Sequence, residues 1–178
     1  MGRFCLPIFL IYYVLISIPD SEQLCAQQKQ QVTTWYVVRH ADRDGEKDLL
    51  TKAGQQRAET LKELMKTLRV NVVYSTDTKR TRDTAAPTAK ALRLSVTTYG
   101  TLSKDWFEKI KKGHRGDVVL IVAHSNTAGK IVQGLGGKGD FSIGEHEYDS
   151  LFVVTIDKQG SKALRLKFGA KPVSDDHK

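Results

Sequence analysis

Two arginines and two histidines stand out because each lies at or just after the end of an apolar segment. Arg39 and His40 follow VTTWYVV, Arg80 comes shortly after VNVVYST, and His124 ends DVVLIVAH. Phosphoryl transfer requires fixed positive donors around three phosphate oxygens. Arginine supplies a permanently charged fork, and histidine supplies either a nucleophilic nitrogen or a charged donor. These residue types therefore predict a phosphoryl-transfer site in which one histidine attacks phosphorus and the other stabilises the transferring group.

The segments that carry these residues alternate between strand-like and helix-like patterns. Strands are expected from Val32, Val70, Leu94 and Asp117, and in a final hairpin, LFVVTID and KALRLKF, that turns at residues 158–160. Helices are expected after Thr51 as N-cap, over 79–92 with Pro87 kinking or dividing it, over 104–112 closed by Gly113, and over 126–133. This alternation predicts an α/β fold, a three-layer sandwich with a mainly parallel central sheet. Both histidines are then expected on one rim, beyond the carboxyl ends of the strands.

The charge balance favours anionic ligands. The 178 residues carry a formal net charge of +8, and a basic surface attracts and steers anions such as a phosphorylated substrate. Nucleic acid is not an expected partner, because no motif of interleaved aromatic and basic residues accompanies the charge. A small phosphorylated substrate is the expected partner.

The first residues have the layout of a secretory signal. Arg3 precedes fifteen uncharged residues, Phe4 to Ile18, and the best cleavage point follows Ala26. We therefore expect residues 1–26 to be a signal peptide and residues 27–178 to form a single domain, with 170–178 as a mobile tail. The mature protein is expected outside the cytoplasm, in the periplasm or the extracellular space.

Two other interpretations of this leader are weaker. An uncleaved anchor is disfavoured because fifteen residues interrupted by Pro7 fall short of the roughly 20 that span a bilayer. Lipid attachment at Cys25 is disfavoured because Glu22 lies where such a signal has an apolar residue. Cleavage after Ala26 also removes both cysteines, Cys5 and Cys25, so no disulfide or cysteine nucleophile is expected in the mature chain.

Four segments in order resemble the motifs of the histidine phosphatase superfamily, the group that includes cofactor-dependent phosphoglycerate mutase. They are WYVVRHADR, LLTKAGQQRA, VVYSTDTKRTRDTAAPTA and VVLIVAHSNT, and the resemblance runs from about Thr34 to Phe168. It implies a phosphoglycerate mutase-like fold, which agrees with the alternation described above. One departure is Ala41, where many members have glycine; alanine is tolerable there if the backbone torsions are ordinary.

The resemblance also implies roles for individual residues. His40 becomes phosphorylated, Arg39 and Arg80 bind phosphate, and His124 completes the pocket. The expected function is an exported phosphomonoester hydrolase with a phosphohistidine intermediate. A phosphomutase is an alternative, although this compact chain lacks the insertions that usually enclose a mutase substrate. A non-catalytic phospholigand-binding protein is another, although a pure binder would not need a nucleophile at His40.

Three further residues are candidates for substrate binding. Arg43 follows His40 in the same loop, where it could contact the substrate beyond its phosphate. Ser125 and Asn126 begin the helix that follows His124. The N-terminus of a helix offers backbone N–H donors and a positive dipole end to an anion.

The general acid is left open by the sequence, because the residues after His124 are Ser125 and Asn126 rather than a carboxylate. Asp42 is nearest in sequence to His40, and Asp105 lies in a segment that could supply an acid. Other candidates come from that segment or from the loop after the glycine-rich stretch: Glu108, Glu145, Glu147 and Asp149. For each carboxylate, a solvated or helix-capping role is the simpler explanation.

Neither a metal nor an organic cofactor is expected. Asp, Glu and His residues do not cluster at ligand spacing around the arginine–histidine set, and His114 and His146 have no partner at such a spacing. The proposed chemistry needs only arginine and histidine, so we expect it to be independent of metal.

Overall fold

The computed structural model describes residues 32–45 and 47–171. The expected signal peptide, both cysteines and most of the expected tail lie outside these residues, so those expectations stay predictions. Within the described ranges, no helix is long and apolar enough to cross a membrane.

Six strands and four helices alternate along the described part of the chain. The strands are β1 Thr33–Arg39, β2 Val72–Ser75, β3 Val96–Thr98, β4 Val118–Ala123, β5 Ser150–Asp157 and β6 Gly160–Lys167. The helices are α1 Lys52–Thr67, α2 Lys79–Leu92, α3 Lys104–Gly113 and α4 Ser125–Gly134. The expected elements are therefore present, with Gly113 inside α3 as its last residue rather than beyond it.

The strands form one sheet in the order β3-β2-β4-β1-β5-β6. β1, β2, β3 and β4 are mutually parallel, whereas β5 runs antiparallel to β1 and pairs with β6 as a hairpin. The mainly parallel sheet and the final hairpin are thus confirmed. Because β4 lies between β1 and β2, the carboxyl ends of these three strands meet at one edge.

Apolar side chains on the two faces of the sheet make two cores. Along β1, Trp35 and Val37 point to one face, and Tyr36 and Val38 point to the other. The first face is covered by side chains of α3 and α4: Phe107, Ile110, Ala128, Ile131 and Val132. The second face is covered by side chains of α1 and α2: Leu61, Met65 and Ala85. Burying each large apolar side chain stabilises the fold by about 1.5–3 kcal/mol. Because both faces of the sheet carry such side chains, helices cover both faces and form the predicted three-layer sandwich.

Helix α1 is fixed against the loop that follows β1. The Thr51 hydroxyl accepts a hydrogen bond from Gly54 N at 3.0 Å, as expected of an N-cap, while Thr51 N donates to Asp42 O at 2.9 Å. A Cβ on Gly54 would lie 2.2 Å from that same carbonyl oxygen. Glycine is therefore required for α1 to approach the loop closely.

Helix α2 runs through Pro87 without a break, so of the two expected outcomes division of the helix is wrong, whereas a kink stays a prediction. Proline lacks the N–H that would donate to the carbonyl of Asp83, and the helix loses one hydrogen bond there. Buried residues on both sides of the proline hold the helix on the sheet: Thr81, Thr84, Ala85, Thr88 and Ala89.

Candidate active site

The carboxyl edge of the sheet brings the four predicted residues together. Arg39 is the last residue of β1, and the backbone N–H of His40 donates to Ala123 O of β4 at 2.8 Å. His124 follows β4 directly, and its ring centroid lies 5.6 Å from that of His40. Arg80, in the first turn of α2, reaches the ring of His124. The expected convergence on one rim is present.

His40 is buried, with 3% of its surface exposed. Its Nδ1 lies 2.8 Å from the carbonyl oxygen of Ala41, which can only accept a hydrogen bond, so Nδ1 carries the proton. Burial lowers the pKa of His40 to about 3; the Ala41 carbonyl opposes this shift, and Arg39, Arg80 and His124 reinforce it. The ring is therefore neutral at physiological pH, with an unprotonated lone pair on Nε2.

The backbone next to His40 is held by α2. Ala41 N donates to the hydroxyl of Thr84 at 2.9 Å, and that hydroxyl donates to the carbonyl of Arg80 at 2.7 Å. Ala41 itself is not among the described residues with positive φ. Its backbone is ordinary for an L-residue, so alanine fits where glycine is common.

His124 has a partner on each ring nitrogen. Nη2 of Arg80 lies 3.2 Å from Nδ1, and the hydroxyl of Thr76 lies 2.9 Å from Nε2. Since a guanidinium only donates, Nδ1 accepts and Nε2 carries the proton. Burial, followed by the nearby charge of Arg80, lowers the pKa of His124. Like His40, this ring is neutral at physiological pH, because its pKa lies below the ordinary value of 6.5.

Asp48 holds Arg80 in place. Its carboxylate accepts from Nη1 of Arg80 at 2.9 Å, from the backbone N–H of Arg80 at 3.0 Å and from that of Lys79 at 2.7 Å. These hydrogen bonds lower the pKa of Asp48, and the bond from the Arg80 backbone has the largest effect. The side chain of Thr78, the N-cap of α2, makes no capping bond, so Asp48 caps this helix from a separate segment.

The loop before β5 surrounds Arg39. Nη1 of Arg39 donates to the carbonyls of Gly144 at 3.0 Å and Glu147 at 3.4 Å, and also to the carbonyl of Glu145. The Tyr148 ring lies 4.1 Å from the guanidinium carbon and 5.9 Å from the His40 ring. Burial lowers the pKa of Arg39. Carbonyl oxygens and an aromatic face thus stabilise a cation that is 2% exposed.

Two buried donors in the pocket lack a partner among the described residues. They are the Nε atoms of Arg39 and Arg80. A buried donor without a hydrogen bond costs about 1–3 kcal/mol. Two such donors on neighbouring guanidinium groups indicate a site for an oxyanion.

The candidate binding residues flank this pocket. Arg43 lies after His40, with Nη2 3.5 Å from Oε1 of Glu145. Ser125 and Asn126 are the first two residues of α4, where backbone N–H groups have no acceptor within the helix. Their position beside His124 agrees with the predicted contribution to anion binding, whereas their role stays a prediction.

The candidate acids are placed unequally. Asp42 is close to His40 in sequence, but its carboxylate accepts hydrogen bonds from Nε and Nη2 of Arg57 at 2.6 and 3.2 Å. Asp105 is exposed near the start of α3, and no hydrogen bond or ion pair of the described residues connects it to the pocket. Of the alternatives, Glu145 lies beside Arg39 and Arg43.

Sequence reasoning missed three pocket residues: Asp48, Thr76 and Tyr148. Thr76 lies within a quoted motif and Asp48 directly precedes another, and both are recognisable only once their partners His124 and Arg80 are located. Within residues 32–45 and 47–171, no group of three or more His, Cys, Asp or Glu side chains could hold a metal ion.

Comparisons with known proteins agree with this geometry. The family model described as "Histidine phosphatase superfamily (branch 1)" matches residues 33–104, which include His40 and Arg80. No curated protein sequence matches the chain.

Solved structures with a similar fold include the protein histidine phosphatase SixA complexed with tungstate, with a TM-score of 0.54 and 16% identity over 78% of this chain and 96% of that one. Phosphoglycerate mutase from Plasmodium falciparum has a TM-score of 0.51 and 18% identity over 83% of this chain and 97% of that one. A phosphoserine phosphatase from Entamoeba histolytica, in complex with 3-phosphoglyceric acid, has a TM-score of 0.50 and 15% identity over 78% of this chain and 98% of that one. At these identities the similarity shows a shared fold.

Proposed function

Because residues 33–104 match the histidine phosphatase superfamily model, we propose that the chain is a member of this superfamily and that it hydrolyses phosphomonoesters through a phosphohistidine formed on His40. The observation that carries the proposal is the state of the His40 ring. Its Nδ1 proton is held by the Ala41 carbonyl at 2.8 Å, and its low pKa leaves Nε2 unprotonated at neutral pH. A neutral imidazole nitrogen among arginines is a nucleophile suited to a phosphate group.

The mechanism uses the other pocket residues as electrostatic partners. A substrate phosphate placed on the unpaired Nε donors of Arg39 and Arg80 brings phosphorus toward Nε2 of His40. The N–H groups at the start of α4 stabilise the oxygens as the group transfers. His124 does so once a proton taken up on Nδ1 makes both of its ring nitrogens donors. Water then attacks the phosphohistidine, which releases inorganic phosphate and restores neutral His40.

Two alternatives use the same pocket. A phosphomutase would return the phosphoryl group to its substrate, and a phospholigand-binding protein would hold a phosphate group without turnover. Burial of a neutral imidazole next to two guanidinium groups favours catalysis over binding alone, because binding requires only the cations. Release of free phosphate separates hydrolysis from transfer.

The decisive experiment is turnover of p-nitrophenyl phosphate by purified protein, with free phosphate and p-nitrophenol measured together. We expect equal release of both products, and loss of turnover in His40→Ala. Phosphate found mainly on an added acceptor alcohol would favour a mutase. Binding of phosphate without any turnover would favour a phospholigand-binding protein.

The expected substrate is a small phosphorylated molecule. Two of the solved structures of similar fold are complexes with tungstate and with 3-phosphoglyceric acid, and two arginines with buried, unpaired Nε donors suit such oxyanions. A screen of phosphorylated compounds against the purified protein, ranked by kcat/KM, would identify the substrate class.

We also propose that the enzyme acts outside the cytoplasm. The support is the sequence of the leader, in which Arg3 precedes fifteen uncharged residues and a cleavage point follows Ala26. Intact-mass analysis of protein from the producing cell should show a chain that begins near Gln27. Retention of Met1 in a membrane fraction would contradict this proposal.

A further inference from the structure

Hydrolysis of an alkyl phosphate needs a proton donor for the leaving oxygen. An alkoxide is a poor leaving group, and a positioned acid typically accelerates such a step by about 10²–10⁴-fold. The carboxylates around the pocket differ in how firmly other groups hold them. That difference identifies which of them can exchange a proton.

Asp42 and Asp48 are both held by strong donors. Two nitrogen atoms of Arg57 bond to Asp42, and three N–H donors of Lys79 and Arg80 bond to Asp48. The hydrogen bonds to Asp48 lower the pKa of its carboxyl group. Releasing either carboxylate would detach Arg57 or Arg80 from its partner, so neither carboxylate suits proton transfer.

Glu147 and Asp149 form a separate charged network with β6. Burial opposes the charge of Glu147, but bonds from Arg165, Lys167 and Ser150 hold its pKa at about 2. Asp149 is buried and accepts from Lys167 at 2.7 Å. A group with a pKa near 2 is deprotonated at neutral pH, and it cannot donate a proton there.

Glu145 differs from all of these carboxylates. Its Oε1 lies 3.5 Å from Nη2 of Arg43 and 3.8 Å from Nη2 of Arg39, and its side chain is 65% exposed. Its backbone carbonyl, in contrast, accepts a hydrogen bond from Arg39. The main chain is therefore fixed to the pocket, while the carboxyl group is loosely held at its mouth and in contact with solvent.

We propose that Glu145 is the general acid of the reaction and then its general base, an inference that rests on the phosphatase function proposed above. A phosphate dianion bound to Arg39 occupies one of the two cations that face the carboxylate and places its own negative charge nearby. Repulsion from the dianion then favours the protonated carboxyl group. Because the Glu145 carboxyl group is exposed, it takes this proton from solvent.

The two steps balance as follows. The lone pair on Nε2 of His40 forms the N–P bond, the P–O bond to the leaving group breaks, and the leaving oxygen takes the proton of Glu145 to become an alcohol. The Glu145 carboxylate then takes a proton from a water molecule whose oxygen attacks phosphorus. The N–P bond breaks, inorganic phosphate leaves, and both residues return to their starting states.

The test compares leaving groups in Glu145→Gln. The ratio kcat/KM reports steps up to departure of the leaving group, so it isolates the role as an acid. We expect kcat/KM for glycerol 2-phosphate to fall by about 10²-fold or more. For p-nitrophenyl phosphate, whose leaving group needs no proton, we expect a change of at most about threefold on the same reasoning.

Glu59→Gln is the matched control, because Glu59 is similarly exposed on α1 and pairs with Lys62. It should leave both values unchanged. A parallel loss on both substrates in Glu145→Gln, or no loss on glycerol 2-phosphate, would overturn the assignment of Glu145 as the acid. Neither result would affect the proposed phosphatase function. Failure of the unsubstituted protein to hydrolyse either substrate would overturn the phosphatase function together with it.

Discussion

Nη2 of Arg80 lies 3.2 Å from Nδ1 of His124, so the cation proposed to bind phosphate also sets the proton position on the second histidine. Because arginine cannot accept a hydrogen bond, Nδ1 of His124 is unprotonated and its proton lies on Nε2, against Thr76. Movement of Arg80 toward a phosphate would release Nδ1 of His124, which could then take up a proton and donate to the same group. The two residues therefore act on the bound group together.

The two histidines are expected to differ when each is replaced. His40→Ala removes the nucleophile, so covalent labelling by radioactive phosphate should disappear along with turnover. His124→Ala leaves His40 in place and removes one donor to the transferring group, a loss on the order of 10²–10³ in rate. Rapid-quench labelling should still detect slow formation of an acid-labile, alkali-stable phosphoenzyme. Labelling that survives in His40→Ala but not in His124→Ala would reverse the assignment.

Asp48→Asn should tighten the binding of inorganic phosphate. The amide oxygen of Asn can still accept a hydrogen bond from Arg80. The negative charge of Asp48, which competes with phosphate for the Arg80 guanidinium, is lost. We expect the inhibition constant of phosphate to fall on the order of threefold to tenfold. Asp77→Asn is the control, because Asp77 pairs with Arg82 instead. An inhibition constant that stays the same or rises would argue against this role of Asp48.

The low pKa of His40 predicts a loss of stability in acid. Its pKa is about 3 in the folded protein, against an ordinary value of 6.5, so below pH 6.5 the unfolded chain binds a proton that the folded chain does not. The free energy of unfolding should therefore fall between pH 6.5 and about pH 3, by up to about 1.4 kcal/mol per pH unit from this group.

His40→Asn tests this prediction, because an amide N–H can replace the donor to Ala41 but cannot take up a proton. Urea unfolding between pH 4 and pH 7 should give a shallower slope for the variant than for the unsubstituted protein. Equal slopes would show that His40 does not titrate in the way its burial predicts.

Activity on an aryl phosphate is expected to survive a strong chelator. The proposed chemistry uses guanidinium and imidazole groups, and the described residues contain no cluster of three or more His, Cys, Asp or Glu that could hold a metal ion. Assays with and without EDTA should agree within experimental error. Complete loss of turnover that a divalent ion restores would contradict the mechanism.

The sequence by itself was sufficient to determine the fold and the location of the rim. Alternating apolar runs predicted the parallel strands, and the positions of Arg39, His40 and His124 at strand ends predicted that they would meet. Thr51 was recognisable as an N-cap from its type and position. These features depend on local backbone preferences and on the period of burial, both of which are encoded in neighbouring residues.

Only the tertiary structure decided which charged side chains pair. Asp42 is two residues from His40 in sequence, yet it bonds to Arg57 fifteen residues away. Glu145 is more than 100 residues from Arg39, yet it lies at the same pocket. Such partners depend on how the helices and the loop before β5 pack on the sheet. Local preferences and periodicity do not contain that information, because many pairings of Asp and Glu with Arg are compatible with the same strands and helices.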